Sequence, residues 1–130
     1  MKVEHRQLVQ RLRPGRRVLV IDDHVSFRNC ARKLLESEGF EVVGEAADGE
    51  SAVALAAELE PELVLLDIQL PDIDGFDVAA RLLEREPALP IVLVSSRDEA
   101  AYGGRVRASG ALGFVTKADL SGAALERFLE

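Results

Sequence analysis

Glu62-Leu63-Val64-Leu65-Leu66-Asp67-Ile68-Gln69-Leu70-Pro71-Asp72-Ile73-Asp74-Gly75 is the stretch on which the fold turns. Its first part, Glu62 to Leu66, runs apolar without polar alternation and follows Pro61. A short continuous apolar run of this kind fits a strand buried on both faces, as in the middle of a parallel sheet. The run stops on a carboxylate, Asp67, and a loop to Asp74 follows with Pro71 inside it. Phe76, Ala79, Ala80 and Leu83 then predict one face of a helix.

The same alternation extends in both directions. Arg17 to Ile21 reads as a strand, and Phe27, Ala31, Leu34 and Leu35 mark the helix after it, stopped by Gly39. Phe40 to Ala46 is a second strand, and Asp48-Gly49-Glu50-Ser51 opens a helix that ends before Pro61. Beyond the central stretch, Pro87 and Pro90 frame a turn into a fourth strand, Ile91 to Val94. Residues 98–108 predict a weak helix, because Gly103-Gly104 inside it costs about 2 kcal/mol relative to alanine. Ala111 to Val115 is a fifth strand, and Leu120, Ala124 and Phe128 stripe a last helix capped by Asp119 or Ser121. The pattern is (βα)5, an α/β doubly wound parallel sheet with helices on both faces. Such sheets carry their sites at the carboxyl ends of the strands, where the strand order reverses.

Composition narrows the function classes. A chain of 130 residues, 48% hydrophobic and 30% charged, can bury one core and stay in solution. No apolar run approaches the roughly 18 residues of a membrane helix, and the start has no apolar signal region. The lone Cys30 excludes an internal disulfide framework and fits a reducing compartment, so a cytoplasmic protein is expected. Cys30 itself is expected to be a small buried apolar residue rather than a reactive thiol. The net charge of −7 argues against a nucleic-acid-binding body. Charge is uneven, since residues 1–17 carry Lys2, Arg6, Arg11, Arg13, Arg16 and Arg17 against one acid, Glu4. Pro14-Gly15 separates a basic extension, 1–15, from the domain at 16–130. A mobile leader is expected there, with docking to an anionic surface as the other reading.

The strand ends hold the chemistry. The first strand ends in Asp22-Asp23, the third in Asp67, the fourth in Ser95-Ser96 and the fifth in Val115-Thr116-Lys117. Carboxylates brought together raise one another's pKa, and a hard divalent cation relieves this. Mg²⁺ takes oxygen donors and keeps room for a phosphate, so Asp22, Asp23 and Asp67 form a candidate Mg²⁺ site, with Mn²⁺ able to substitute. Lys117 supplies a point charge suited to a phosphoryl oxygen. A carboxylate can attack phosphorus to give an acyl phosphate, and phosphoryl transfer needs mainly positioning and charge neutralisation. Asp67 is therefore the candidate phosphoacceptor, with Lys117 and the Ser95 hydroxyl as supporting groups and Ser96 as the competitor of Ser95. The same set lets water attack the acyl phosphate, so slow self-dephosphorylation is expected.

From Asp22-Asp23 onward the chain resembles the receiver domain of bacterial two-component response regulators. Besides that pair, the motifs are Leu65-Leu66-Asp67, Leu70-Pro71-Asp72, Asp74-Gly75, Ser95 and Lys117. Asp22, Asp67, Ser95 and Lys117 stand 45, 28 and 22 residues apart in turn, as in that family. The resemblance covers residues 16–130 and implies a flavodoxin-like sheet of order 2-1-3-4-5. It implies phosphorylation of Asp67 by a sensor histidine kinase or a phosphotransfer protein. It places Asp23 and Asp67 directly on Mg²⁺, Asp22 through water, and the Gln69 backbone carbonyl as a further ligand. It also implies a switch in which Ser95 moves toward the phosphoryl group and Phe114 turns inward, remodelling the face of the fourth helix, fifth strand and last helix. Gln69 and Arg97 occupy positions that tune dephosphorylation in the family. Asp22-Asp23-His24 and Gly113-Phe114-Val115-Thr116-Lys117-Ala118 are most similar to receivers of the LuxR-type, NarL/FixJ-like subfamily. Ala118 stands where many receivers have proline. A homodimer through the first and last helices, or through the switch face, is implied as well; DNA binding by this chain alone is not.

Three rivals compete with this reading. An aspartyl phosphohydrolase of the haloacid dehalogenase type needs a second Asp two residues after the nucleophile, and Gln69 stands there. A flavin-binding flavodoxin needs a phosphate loop after the first strand, where Asp22-Asp23 would repel a phosphate. A degenerate receiver acting as an interaction module would not need the full acidic set, hydroxyl and lysine. His24 is not expected to ligate a metal, since no second histidine lies nearby.

Overall fold

β1 (Arg16–Ile21), β2 (Phe40–Ala46), β3 (Leu63–Asp67), β4 (Ile91–Ser95) and β5 (Gly113–Thr116) pair in parallel in the order β2-β1-β3-β4-β5. The computed structural model describes residues 16–129; the basic extension at 1–15 lies outside the described residues. The helices are α1 (Val25–Ser37), α2 (Gly49–Leu59), α3 (Gly75–Arg85), α4 (Arg105–Ala108) and α5 (Gly122–Leu129), with 3-10 turns at Glu99–Tyr102 and Lys117–Asp119.

Alternation along the strands divides the core in two. Leu19, Ile21, Val64, Leu66, Ile91 and Leu93 face α2, α3 and α4, while Val18, Val20, Leu63, Leu65, Val92 and Val94 face α1 and α5. All twelve are buried, so the central strands are apolar on both sides, as a sheet covered by helices requires.

Local signals set most boundaries. Gly39, at φ +93°, takes the left-handed turn that stops α1. The Asp48 carboxylate caps α2 by accepting from Ser51 N at 2.8 Å. Asp74 caps α3 through Phe76 N at 2.7 Å. At α5, Ser121 Oγ accepts from Ala124 N at 3.0 Å, whereas Asp119 accepts from Thr116 Oγ1 instead. Ser121 is thus the cap.

Three expectations fail. Ala80 is exposed, and the buried residues of α3 are Gly75, Phe76, Val78, Ala79 and Leu82, because the helix meets both the sheet and α2. The weak helix over 98–108 does not form as one piece. Gly103 takes φ +60°, which breaks it into the 3-10 turn and the single turn of α4. Cys30 is exposed, since α1 buries only the side of Ala31 and Leu35 against the sheet.

One glycine positions the site by its lack of a side chain. A Cβ on Gly75 would lie 2.4 Å from the Asp67 carbonyl oxygen and 2.6 Å from Ile68 Cα. Gly75 N donates to the Ile68 carbonyl at 2.8 Å, so α3 starts against the end of β3. Backbone cannot yield as a flexible side chain can. Gly75→Ala is expected to destabilise the fold by about 1–3 kcal/mol through overpacking. A urea unfolding midpoint equal to that of the parent chain would contradict this.

Candidate functional site

Parallel strands deliver their last residues to one edge. Asp22 follows β1, Asp67 ends β3, Ser95 ends β4 and Lys117 follows β5. Asp22 N donates to the Ala46 carbonyl at 3.0 Å, which ties the acidic pair to the end of β2. Among the described residues, Asp22, Asp67 and Ser95 are the buried polar ones, whereas the Asp23 side chain is one-third exposed. Lys117 Nζ lies 2.6 Å from Asp22 Oδ2 and 3.5 Å from Asp67 Oδ2. It also sits 4.6 Å over the ring of Phe27, a cation–π contact that holds the ammonium inward.

The two oxygens of Asp22 are treated differently. Oδ1 accepts from His24 N at 2.8 Å and lies 3.2 Å from His24 Nδ1. Oδ2 is sealed from solvent without a directed hydrogen bond, and is balanced by the Lys117 charge. One ligand atom from each of Asp22, Asp23, His24 and Asp67 can be chosen so that all lie within 4.8 Å of one another. His24 lies beside the cluster, with its Nδ1 3.1 Å from Asp23 Oδ1 and its side chain largely exposed.

Burial pushes the Asp67 carboxyl up to about 6, with the charge of Asp22 adding to the rise. Lys117 and the Gln69 backbone N–H, which donates to Oδ1 at 3.2 Å, pull the other way. In the unfolded chain an aspartate titrates near 3.9, so between about pH 4 and 6 the folded state binds more protons. The contribution of Asp67 to stability is therefore expected to be full below about pH 4 and to fall by up to about 3 kcal/mol as pH rises through about 6 without a divalent cation. A cation favours the ionised form, so apparent Mg²⁺ affinity is expected to rise with pH over the same interval. Urea unfolding at several pH values, with and without Mg²⁺, tests both; a flat metal-free profile would contradict the assignment of charge.

Ser95 and Ser96 separate clearly, the first buried and the second exposed. Ser95 Oγ accepts from Arg97 N at 3.1 Å and lies 2.5 Å from the Tyr102 hydroxyl. The Tyr102 ring sits 6.2 Å from that of half-buried Phe114 and 5.9 Å from that of Phe76. Gln69 is exposed in the loop after β3.

Sequence reasoning did not place Tyr102 at the site, and it marked Phe27 only as a helix-face residue and Asp72 only as part of a motif. The Asp72 carboxylate accepts from Gly49 N at 2.7 Å and Glu50 N at 3.0 Å, fastening the loop after Asp67 to the start of α2. Those donors hold its carboxyl below the usual range. Tyr102 carried one signal, being the chain's single tyrosine inside an otherwise weak helix.

Known proteins bear directly on this arrangement. Residues 18–125 match the family described as response regulator receiver domain. The response regulator GacA of Pseudomonas aeruginosa is 38% identical over 115 residues, 88% of this chain and 52% of that protein. The crystal structure of a LuxR-family two-component response regulator from Aurantimonas sp. SI85-9A1 has a TM-score of 0.80 at 29% identity, covering 88% of this chain and 86% of that one. The CheX-CheY-BeF3-Mg complex from Borrelia burgdorferi includes a chain with a TM-score of 0.77 at 27% identity, covering 87% and 85%. The chain spans about half the length of the curated relatives it matches. Among the described residues, no helix is long and apolar enough to cross a membrane. Receiver domains of this family are signalling domains rather than classical enzymes, and they bind Mg²⁺ at an acidic pocket. The pocket of Asp22, Asp23 and Asp67 fits a phosphoacceptor aspartate site, and the chain belongs to the response regulator receiver domain family.

Proposed function

We propose that Asp67 accepts the phosphoryl group, with Lys117 and Ser95 supporting the transfer and Asp22, Asp23, Asp67 and the Gln69 carbonyl as the Mg²⁺ ligands. The observation that carries this is the buried Asp67 carboxylate between two acids and Lys117 at the switch point of the sheet. The donor set fits the ion. Three carboxylates are hard oxygen donors, and the sealed Asp22 Oδ2 lacks a directed hydrogen bond. When bound, Mg²⁺ neutralises charge on the carboxylates and on the phosphoryl oxygens. His24 is a neighbour of the set through Asp22 and Asp23.

The chain's own groups account for the chemistry. An ionised Asp67 oxygen attacks phosphorus while the bond to the leaving group breaks, acetate departing from acetyl phosphate or the imidazole nitrogen from a phosphohistidine. Lys117, 3.5 Å from Asp67 Oδ2, offsets negative charge on the transferred group. Ser95 donates to a phosphoryl oxygen, and Phe114, at the edge of a 310 Å³ groove lined also by Val115, Ala124 and Phe128, turns inward. That face of α4, β5 and α5 is the proposed output surface. The partners are a sensor histidine kinase or phosphotransfer protein, with a homodimer through α1 and α5 or through the output face. We assign 16–130 to the receiver and 1–15 to a basic extension, in a cytoplasmic protein. That GacA is a response regulator supports a signalling role for this chain. The BeF3 and Mg in the CheY complex support the choice of ion.

Acetyl phosphate with Mg²⁺ is expected to add one phosphoryl group to the intact mass. No adduct, or steady turnover of small phosphomonoesters, would overturn the reading.

A further inference from the structure

The Ser95 hydroxyl is occupied before any phosphoryl group arrives. A serine hydroxyl has one proton and two acceptor sites. Here Arg97 N–H fills one acceptor site at 3.1 Å, and Tyr102 OH lies 2.5 Å away. Either hydroxyl can be the donor, so the contact ties Ser95 Oγ in place whichever way it runs, and moving toward a phosphoryl oxygen stretches it.

Tyr102 is also tied to the rest of the switch region. Its ring meets Phe76 at the start of α3, edge-on at 68°, and lies tilted against Phe114 of β5. It ends the 3-10 turn, and Gly103 and Gly104 follow at once. A Cβ added to either glycine would meet nothing within 4 Å, so the backbone there has open space around it. The residue that holds Ser95 thus stands at a loosely packed joint between β4 and α4, in contact with Phe114.

We propose that Tyr102 is a positioning residue: its hydroxyl restrains Ser95 in the unphosphorylated chain, and releasing Ser95 frees the ring that packs on Phe114. The coupling between site and output face then begins at this bond. The proposal rests on Asp67 being the phosphoacceptor.

Tyr102→Phe removes the hydroxyl and keeps the ring between Phe76 and Phe114. Phosphoryl uptake from acetyl phosphate with Mg²⁺ is expected to become about 2- to 10-fold faster, the worth of one hydrogen bond. In a Ser95→Ala background the same change is expected to have no effect on uptake. A packing role would act equally in both backgrounds. Uptake unchanged or slower in Tyr102→Phe, or faster by the same factor in both backgrounds, would overturn the proposal.

The chain offers a second readout, since it contains one tyrosine and no tryptophan. Tyrosine emission reports Tyr102 alone, and it is expected to change when the parent chain is phosphorylated and not in Asp67→Asn. Unchanged emission in a fully phosphorylated parent chain would overturn the proposal. An adduct that persists in Asp67→Asn would instead sink the underlying assignment of Asp67, and a parent chain that takes no phosphoryl group would sink both.

Discussion

Asp67→Asn is expected to abolish the phosphoryl adduct and, without a divalent cation, to make the chain more stable at neutral pH. Asparagine cannot form the acyl phosphate, so the first effect is complete. The second follows from burial. Asp67 is 2% exposed, and its carboxyl is pushed up to about 6, so at pH 7 it is held ionised against its surroundings. A neutral amide removes the repulsion from Asp22 and can keep the acceptor that Gln69 N uses. The gain is expected to be on the order of 2 kcal/mol at pH 7. It should shrink toward pH 4, where the native aspartic acid is itself neutral, and with saturating Mg²⁺, which stabilises the parent chain by binding it. Intact mass and urea titrations read the two effects. An adduct on the Asn variant sinks the phosphoacceptor assignment; equal stability of the two chains at pH 7 sinks the electrostatic account.

Lys117→Ala is expected to lose both transfer and stability. The ammonium balances Asp22 Oδ2 at 2.6 Å, and that oxygen is sealed from solvent without a directed hydrogen bond. Removing one partner of a buried charge pair strands the other, at a cost of about 3 kcal/mol or more. Lost contact with the Phe27 ring adds to this. Removing a charge aimed at the transferred group is expected to slow uptake by about 100-fold. The decisive comparison is Lys117→Met, which keeps an apolar stem over Phe27. Saturating Mg²⁺ is expected to restore stability in both variants, because the cation replaces the missing charge, without restoring the uptake rate. Stability loss that Mg²⁺ leaves unchanged would mean that Lys117 acts by packing.

The order of the elements and the identity of the charged residues were legible before any coordinates. Apolar runs such as 63–66 and 91–94, proline and glycine stops, and caps such as Asp48 are local signals. Strand ends are local too, which is why Asp22, Asp23, Asp67, Ser95 and Lys117 could be picked out by position. The broken helix over 98–108 follows from Gly103 itself, but the other two misreadings arose where the deciding neighbour is distant in sequence. Ala80 turned out exposed and Val78 buried because α3 packs against α2 as well as the sheet. Cys30 depended on how far α1 rolls onto its face of the sheet.

What the sequence by itself determined is a parallel α/β sheet with an acidic edge, since short-range pattern and crossover geometry suffice for that. What only the tertiary structure decided is who touches whom at that edge. Lys117 leans on Asp22 more than on Asp67, Phe27 holds it there, Asp72 anchors the loop to α2, and Tyr102 occupies the Ser95 hydroxyl. Each of these joins segments far apart in sequence or separated by a break that local propensity leaves undefined. Burial and dielectric, which push Asp67 up to about 6, likewise exist only once the two cores close around the sheet.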